Sequence, residues 1–402
     1  MMLWTVHLEG GPRRVNHAAV QIGDKIYSFG GYCSGEDYSV RKPIDVHVLN
    51  TYTLRWKAIP STYSREEDYH QIPYLRYGHA TVAYGNCAYI WGGRNDCDGA
   101  CNKLYEFNTE THRWTCVVVR GDIPPARDGH SACLIGHRMF IFGGFEEENE
   151  QFSNDVYAFD FRSKRWSLIA TIGQPPFWRD FHTATAIGHR MYIFGGRSDQ
   201  AGQWVTNREI YFDTLQYFDT KSGRWVQPQV TGDKPCGRRS HSAFSYDGCL
   251  YIFGGYNSIA RKHYNDLYKY DPNKSEWSLV SPLGKGPPPR RRQCCILHQD
   301  KVFLFGGTSP ADPYSLSPSR DMPDLLQDPM FQPEPELIDH SDLYVLDFQP
   351  TLKTMCVLAC WEHKLETQFA DLPWDVRWEI QHMSKPNRIT PPPADRGDHS
   401  HG

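Results

Sequence analysis

The chain has 402 residues, with 43 Lys and Arg against 47 Asp and Glu, and a formal net charge of −4. That balance supplies no general basic field for nucleic acid or for an anionic membrane surface. No stretch of eighteen apolar residues reads as a membrane span, and Met1-Met-Leu-Trp-Thr-Val-His7 lacks the basic-then-apolar order of a secretory leader, so neither is expected.

The first element is an isolated strand-like segment, Trp4-Thr-Val-His7. A repeat unit follows and recurs along most of the chain. Its most visible marks are six diglycines: Gly30-Gly31, Gly92-Gly93, Gly143-Gly144, Gly195-Gly196, Gly254-Gly255 and Gly306-Gly307. A histidine stands thirteen positions before the first five (His17, His79, His130, His182, His241), and Cys294 is read as its counterpart in the sixth. Arginine precedes that position by three: Arg14, Arg76, Arg127, Arg179, Arg238 and, on this reading, Arg291. A period near fifty residues signals a propeller or a similar array, in which each unit buries its apolar face only against its neighbours.

The third copy shows the unit most clearly. Residues 131–135 and 138–142 form two apolar strands across a Gly136 turn. Residues 154–160 alternate apolar and polar, and 166–169 carry a tryptophan. The third segment recurs at 44–49, 103–108, 214–219, 265–271 and 341–347, and the tryptophan as Trp56, Trp114, Trp225 and Trp277. Four antiparallel strands per unit make one propeller blade. The sixth copy lacks the tryptophan, running instead into Gln349-Pro350. The N-terminal strand with Trp4 is therefore expected to supply its outer strand and remove the exposed edges. The prediction is an all-β fold: a six-bladed propeller within residues 1–349, its last blade closed by the N-terminal strand. Insertions at 59–74 and 309–336 read as polar loops.

The twelve cysteines share no register, so reduced thiols in the cytoplasm, or alternatively the nucleus, are expected. Cys97, Cys101, Cys294 and Cys295 lack a second pair at zinc spacing, and no Ser-His-Asp set can be assembled. No cofactor, no metal and no catalysis are expected. The motif arginines are read as structural, pairing with acids or carbonyls of a neighbouring blade. The motif histidines are read as buried and bonded to backbone.

Past residue 350 the pattern changes. Leu352, Met355, Cys356 and Ala359 recur at helical spacing, and Leu372, Val376, Trp378 and Ile380 follow Pro373, which is tolerated at a helix start. A helical segment is expected at 350–384 and a disordered tail at 385–402. The helices either pack under the propeller or leave apolar anchors exposed for another chain.

Arg-x-x-His, Gly-Gly, aromatic-x-Asp and Trp at these spacings resemble the kelch motif, over six repeats. In kelch propellers the turns before the inner strand and after the diglycine open on one face. That places Tyr32, Arg94, Phe145, Arg197, Tyr256 and Thr308 beside Arg14, Tyr77, Asp128, Trp178-Arg179-Asp180, Arg238-Arg239-Ser240 and Arg291-Arg292-Gln293. A rim mixing arginine with aromatics has the composition of a peptide-binding hot spot. Arg197, Arg239 and Arg292 are not demanded by the repeat and are the better candidates for ligand contact.

Thr351-Leu352-x3-Cys356 resembles an elongin-binding BC box, with Cys360 departing from its final aliphatic position. Leu372-Pro373-x-x-Val376 resembles a cullin-2 box, with Asp375 where a cullin-5 box carries a second proline. The whole is similar to the kelch-domain receptors of cullin-2 RING ubiquitin ligases. The resemblance implies a non-enzymatic substrate receptor partnered by elongin B/C (Leu352, Cys356), cullin-2 (Leu372, Pro373, Val376) and a RING-box protein. It also implies binding of client C-termini that end in glycine. Arg197 and the Arg238-Arg239-Ser240 turn then clamp the terminal carboxylate, with Arg208 in place of a second arginine missing from 198–203. A bidentate guanidinium suits that task. Trp178 and Tyr256 would close the pocket end, and Asp128, Asp180 and Glu209 would favour a basic residue upstream. The chain itself ends in Gly402, which could enter the pocket of the same or another copy. The alternative is a cytoskeletal or chromatin scaffold that needs no boxes.

Overall fold

The computed structural model describes residues 1–37, 41–60, 70–206, 208–311, 336–362 and 372–390. Most of both expected insertions, the residues between the two boxes and everything after residue 390, including Gly402, lie outside the described residues.

Among the described residues the chain is all-β apart from two helices of 11 residues each. Six sheets follow one another, each built on four antiparallel strands. In the third repeat Ser131–Ile135, Arg138–Phe142, Val156–Asp160 and Arg165–Leu168 pair in chain order. The second strand of each repeat shows why the sheets stack. Arg138–Phe142 exposes only its first residue, and Lys25–Phe29 does the same. A strand covered on both faces needs a continuous apolar run rather than alternation. The cores accordingly lie between consecutive sheets. Phe140 and Phe142 of the third repeat pack with Met191, Ile193 and Trp225 of the fourth.

The third strands begin later than expected, at Val46, Leu104, Val156, Gln216, Leu267 and Leu343. The preceding polar residues serve the joints between repeats instead of the ladders. Asn154 Nδ2 donates to the Pro176 carbonyl (3.2 Å) and Asn265 Nδ2 to that of Pro287 (3.3 Å), each at the entry to the next repeat.

In the sixth repeat Cys294–His298, Lys301–Phe305 and Leu343–Asp347 are joined by Leu3–Leu8 from the start of the chain. Leu3 lies opposite Asp347 and Leu8 opposite Leu343, with an irregularity between Trp4 and Val6. The entries to the six first strands are linked by backbone hydrogen bonds that return to their start. Gly78 N–H donates to Asn16 O (3.1 Å), Gly129 to Gly78 (2.9 Å), Phe181 to Gly129 (2.7 Å), Ser240 to Phe181 (2.8 Å), Arg292 to Ser240 (2.8 Å) and Asn16 to Arg292 (3.1 Å). All six residues have left-handed backbones, with φ from +50° to +68°. Four are not glycine, which costs about 1–2 kcal/mol each. The conformation persists because neighbours on both sides impose it. These residues and the motif side chains line a central cavity of about 140 Å³.

The second glycine of each pair is held by a similar constraint. Gly144 has φ +96°, and a Cβ there would stand 2.8 Å from the Asp128 carbonyl oxygen.

Two helices, α1 (Leu352–Glu362) and α2 (Trp374–Ser384), follow the sixth repeat. Val357, Ile380 and Met383 are buried with Val6, Leu8, Leu49, Leu54 and Trp56, where the first and last repeats meet. Lys353 Nζ links the helices through Asp375 (2.8 Å) and Glu379 (3.0 Å). The disordered tail expected from residue 385 is corrected over its first six residues, which are strapped to the propeller. Asn387 donates to the Leu54 carbonyl (3.1 Å) and to Glu9 O (2.7 Å) and accepts from Trp56 N–H (2.9 Å), while Ile389 N–H donates to Gly10 O (2.8 Å). A low-complexity appearance gave no sign of this because most of the partners are backbone groups, with only the side chains of Asn387 and Thr390, and Arg55 from the first repeat, adding hydrogen bonds.

Candidate functional site

Beneath the open face lies a layer of arginines. In five repeats the guanidinium reaches the first glycine of its own diglycine: Arg76 to Gly92 O (3.1 Å), Arg127 to Gly143 (3.0 Å), Arg179 to Gly195 (2.8 Å), Arg238 to Gly254 (3.1 Å) and Arg290 to Gly306 (3.1 Å). Carboxylates complete three of them: Glu146 for Arg127, Asp266 for Arg238 and Asp342 for Arg290. Arg179 has no such acid among the described residues, and burial pushes its pKa down to about 9. These arginines hold their own repeat, not the neighbouring one as expected. Arg14 departs from the pattern and pairs with Asp45 (2.7 Å) and Glu36 (3.0 Å).

Two assignments are thereby corrected. In the sixth repeat Arg290, not Arg291, fills the buried position, and Gln293, not Cys294, fills the histidine position. Arg179 and Arg238 were expected on the rim. They are 1% and 0% exposed and lie under it as scaffold.

The motif histidines are buried, and burial together with the nearby arginines holds His17, His79, His130 and His241 at about 3, well below the usual imidazole value. Two of the five meet a hydroxyl of the preceding repeat and one meets a backbone carbonyl. His182 Nε2 meets Ser131 Oγ (2.6 Å) and His241 Nε2 meets Thr183 Oγ1 (2.9 Å), while His79 uses the Phe29 carbonyl (3.1 Å). The second repeat has Ala80 at the hydroxyl position, and both ring nitrogens of His130 lack a partner.

Above this layer the residue after each buried arginine pairs with the one after the diglycine. The pairs are Val15–Tyr32, Tyr77–Arg94, Asp128–Phe145, Asp180–Arg197, Arg239–Tyr256 and Arg291–Thr308. The repeat thus places the expected residues Asp128, Phe145, Asp180, Arg197, Arg239 and Tyr256 on one rim, and Ser240 and Arg292 in the hydrogen-bonded cycle inside it. Trp178 lies half-buried, near Gly202.

The rim is electrically divided. Arg197 is already satisfied: its Nε donates to Asp180 Oδ1 (3.1 Å) and its Nη1 to Glu209 Oε1 (3.4 Å). Burial disfavours its charge, but Asp180 and Glu209 outweigh that and raise its pKa. Arg239 Nη1 shares Glu209 Oε1 (3.3 Å). Of the three acids expected to read a basic residue, only Asp128 lacks an ion pair. Burial, with Asp180 beside it, pushes its carboxyl up to about 7.

On the other side, Arg291 and Arg292 have no carboxylate partner among the described residues. Arg291 lies 4.4 Å over the Tyr256 ring, and Arg292 Nη1 donates to the Tyr32 hydroxyl. His263 stacks against Tyr256 (4.4 Å) and is pushed down to about 4 by burial and by Arg291, Arg292 and Arg239. It therefore stays neutral there. This corner is an anion site by composition: two guanidiniums, partly desolvated and without an acid among the described residues to offset them. Arg208, offered as a substitute clamp, is exposed, and its backbone N–H donates to Asp199 Oδ2 (3.2 Å). Sequence reasoning had counted Arg291 among the motif arginines as well as on the open face, and had missed His263 altogether.

The tail anchors divide as well. On α1, Thr354 and Val357 face the propeller, while Leu352 is 73% exposed and Cys356 lies one turn on, also exposed. Leu372 and Val376 pack partly against the propeller core, whereas Pro373 is exposed. Trp374, which sequence reasoning did not single out, is 71% exposed.

Among the described residues one side-chain group has the composition of a metal site: His7, Glu9 and Asp342. Both oxygens of Asp342 are engaged by Arg290 (2.7 and 2.8 Å), so the group reads as part of that ion pair.

Residues 78–307 match the KLHDC2/KLHL20/DRC7 Kelch-repeats domain, and residues 13–62 match the Kelch motif. Kelch domain-containing protein 3 of Bos taurus is 50% identical over 393 residues, 98% of each chain, and that of Homo sapiens is 50% identical over the same span. Host cell factor of Drosophila melanogaster is 27% identical over 66% of this chain and 18% of its own. Among solved structures, that of YjhT shares the fold, with a TM-score of 0.55 at 14% identity, covering 74% of this chain and 92% of that one.

Proposed function

The chain belongs to the kelch-repeat family, and on that premise we propose that it is a non-catalytic substrate receptor of a cullin-2 RING ubiquitin ligase. It holds a client's C-terminal glycine on the open face of a closed, six-bladed propeller while its C-terminal helices dock elongin B/C, cullin-2 and a RING-box protein. The six-membered hydrogen-bond cycle and the pairing of Leu3–Leu8 with Leu343–Asp347 support the closed ring.

The observation that carries the reading is the Arg291–Arg292 corner. Uncompensated guanidiniums beside Tyr256 and Tyr32 offer a terminal carboxylate charge-assisted hydrogen bonds and an aromatic wall. Asp128, across the rim, offers a partner to a basic residue just upstream of the glycine. The exposed pair Leu352 and Cys356 leaves a helix face unfilled after the propeller, as a docking helix requires. The compartment proposed is the cytoplasm or the nucleus. The terminal Gly402 offers self-association through the same pocket as a further possibility within this reading.

The test is co-purification with elongin B/C, wild type against Leu352→Ser combined with Cys356→Ser. Both side chains are exposed, so the variant should keep its melting temperature and lose the partner. Retention of elongin B/C by the variant, or no capture by the wild type, would sink the ligase reading and favour the scaffold.

A further inference from the structure

We propose that Glu209 is a specificity gate: a built-in carboxylate that withholds Arg197 and Arg239 from bound peptides, so that the rim accepts one anion and rejects a second. This rests on the reading that the face binds peptide C-termini, and it names a residue that decides which termini are accepted.

Glu209 is held from both sides. Its Oε1 receives Arg197 Nη1 (3.4 Å) and Arg239 Nη1 (3.3 Å), from the fourth and fifth repeats. Its Oε2 receives the Tyr211 hydroxyl (2.6 Å) and the Ser258 hydroxyl (2.5 Å), and those two hydroxyls lie 2.9 Å apart. Burial works against its ionised form, but the hydrogen bonds from Ser258 and Tyr211 and the two arginines prevail and lower its pKa. The carboxylate is therefore fixed and charged at neutral pH.

The consequence is a matter of charge balance. Asp180, Glu209, Arg197 and Arg239 form a neutral quartet. Arg291 and Arg292 beside it carry two positive charges with no acid paired to them among the described residues. A ligand carboxylate is drawn to that corner rather than to Arg197, each of whose three guanidinium nitrogens already donates one hydrogen bond to Asp180 or Glu209 and whose charge those acids offset. A second carboxylate, on the side chain just before the terminal glycine, would meet Glu209 and Asp128 without a free cation to offset them. Like charges placed together across an interface are strongly disfavoured, which is how such surfaces reject wrong partners. Removing the charge of Glu209 leaves the quartet at +1 and frees one guanidinium nitrogen on each arginine.

The experiment uses the full chain and three short peptides ending in Arg-Gly, Ala-Gly and Glu-Gly, each as free acid and as C-terminal amide. Affinities are measured for wild type and Glu209→Gln, which keeps the shape and the acceptor for Tyr211 and Ser258. A thermal melt confirms that the variant folds. The expected result is that Glu209→Gln improves Glu-Gly by about tenfold or more and changes Ala-Gly by less than about threefold, narrowing the preference for Arg-Gly over Glu-Gly. An unchanged Arg-Gly to Glu-Gly ratio, with the wild type still preferring acid to amide, overturns the gate and leaves the peptide reading standing. If the wild type binds acid and amide equally, the peptide reading falls, and the gate falls with it.

Discussion

Asp128 gives the proposed binding face a dependence on pH that can be worked out in advance. Its carboxyl is buried beside Asp180, and these effects outweigh Arg94 and Arg197 to push it up to about 7. A group with that pKa is about one-tenth ionised at pH 6 and about nine-tenths ionised at pH 8. A basic side chain upstream of a terminal glycine gains a partner only from the ionised form. Affinity for an Arg-Gly peptide should therefore rise about tenfold between pH 6 and pH 8. An Ala-Gly peptide should stay flat, and a Glu-Gly peptide should weaken. Asp128→Asn should remove the slope for Arg-Gly and leave Ala-Gly alone. The stability sign runs the other way. A carboxyl raised in the folded state favours folding while it is protonated and loses that contribution as pH climbs from the ordinary carboxylate range through 7. The difference is about three units, or about 4 kcal/mol as an upper bound. Asp128→Asn should thus raise the melting temperature at pH 8 and not at pH 4. Calorimetric titrations across this range at about 0.15 M salt would read the slope. A wild-type affinity for Arg-Gly that does not change, or a slope that survives Asp128→Asn, would refute the assignment of Asp128 as the reader of upstream charge.

Two other outcomes follow from single contacts. Ala80→Ser would place a hydroxyl where Ser131 and Thr183 stand in later repeats, giving His130 the partner it lacks. It should raise stability by about 1 kcal/mol, seen as a higher urea midpoint at unchanged slope, and a lower midpoint would count against the pairing. Arg291→Ala and Arg292→Ala should each weaken binding of a free-acid peptide by about 1.5–3 kcal/mol, roughly tenfold to a hundredfold, while leaving amide-capped peptide unaffected. Equal losses for acid and amide would mean that these arginines do not hold the carboxylate.

The fold was legible because two of its constraints are written in residue type. The diglycines mark positions where a Cβ would strike a carbonyl oxygen, and the apolar runs mark strands covered on both faces. The pairing of the first strand with Leu343–Asp347 could be inferred because the sixth repeat lacks a tryptophan strand and the chain begins with one. The strap at 385–390 was not legible, since it is held largely by main-chain groups whose partners are nearly four hundred residues away in sequence. The role of Glu209 was half-legible. Its charge suggested a site for cations, but its engagement with Arg197 and Arg239 depends on packing between the fourth and fifth repeats, which no local pattern reports.

Arg290-Arg291-Arg292 shows most sharply where residue identity stops being informative. Three identical side chains occupy three environments. Arg290 is fully buried between Gly306 O and Asp342. Arg291 lies over Tyr256 and exchanges backbone hydrogen bonds with Thr308. Arg292 is in the left-handed cycle and reaches Tyr32. What separates them is reach. The buried arginine must bring Nη1 to the carbonyl of the first glycine, and in all five repeats that use it the two residues are 16 apart in sequence. Measured from Gly306, that distance selects Arg290. Taking Cys294 as the counterpart of the motif histidine slips the sixth repeat by one residue and gives Arg291 the motif position that Arg290 fills. A spacing set by a hydrogen bond is therefore a firmer ruler than the residue types it connects. In this chain it separates the arginines that build the propeller from those left free to bind.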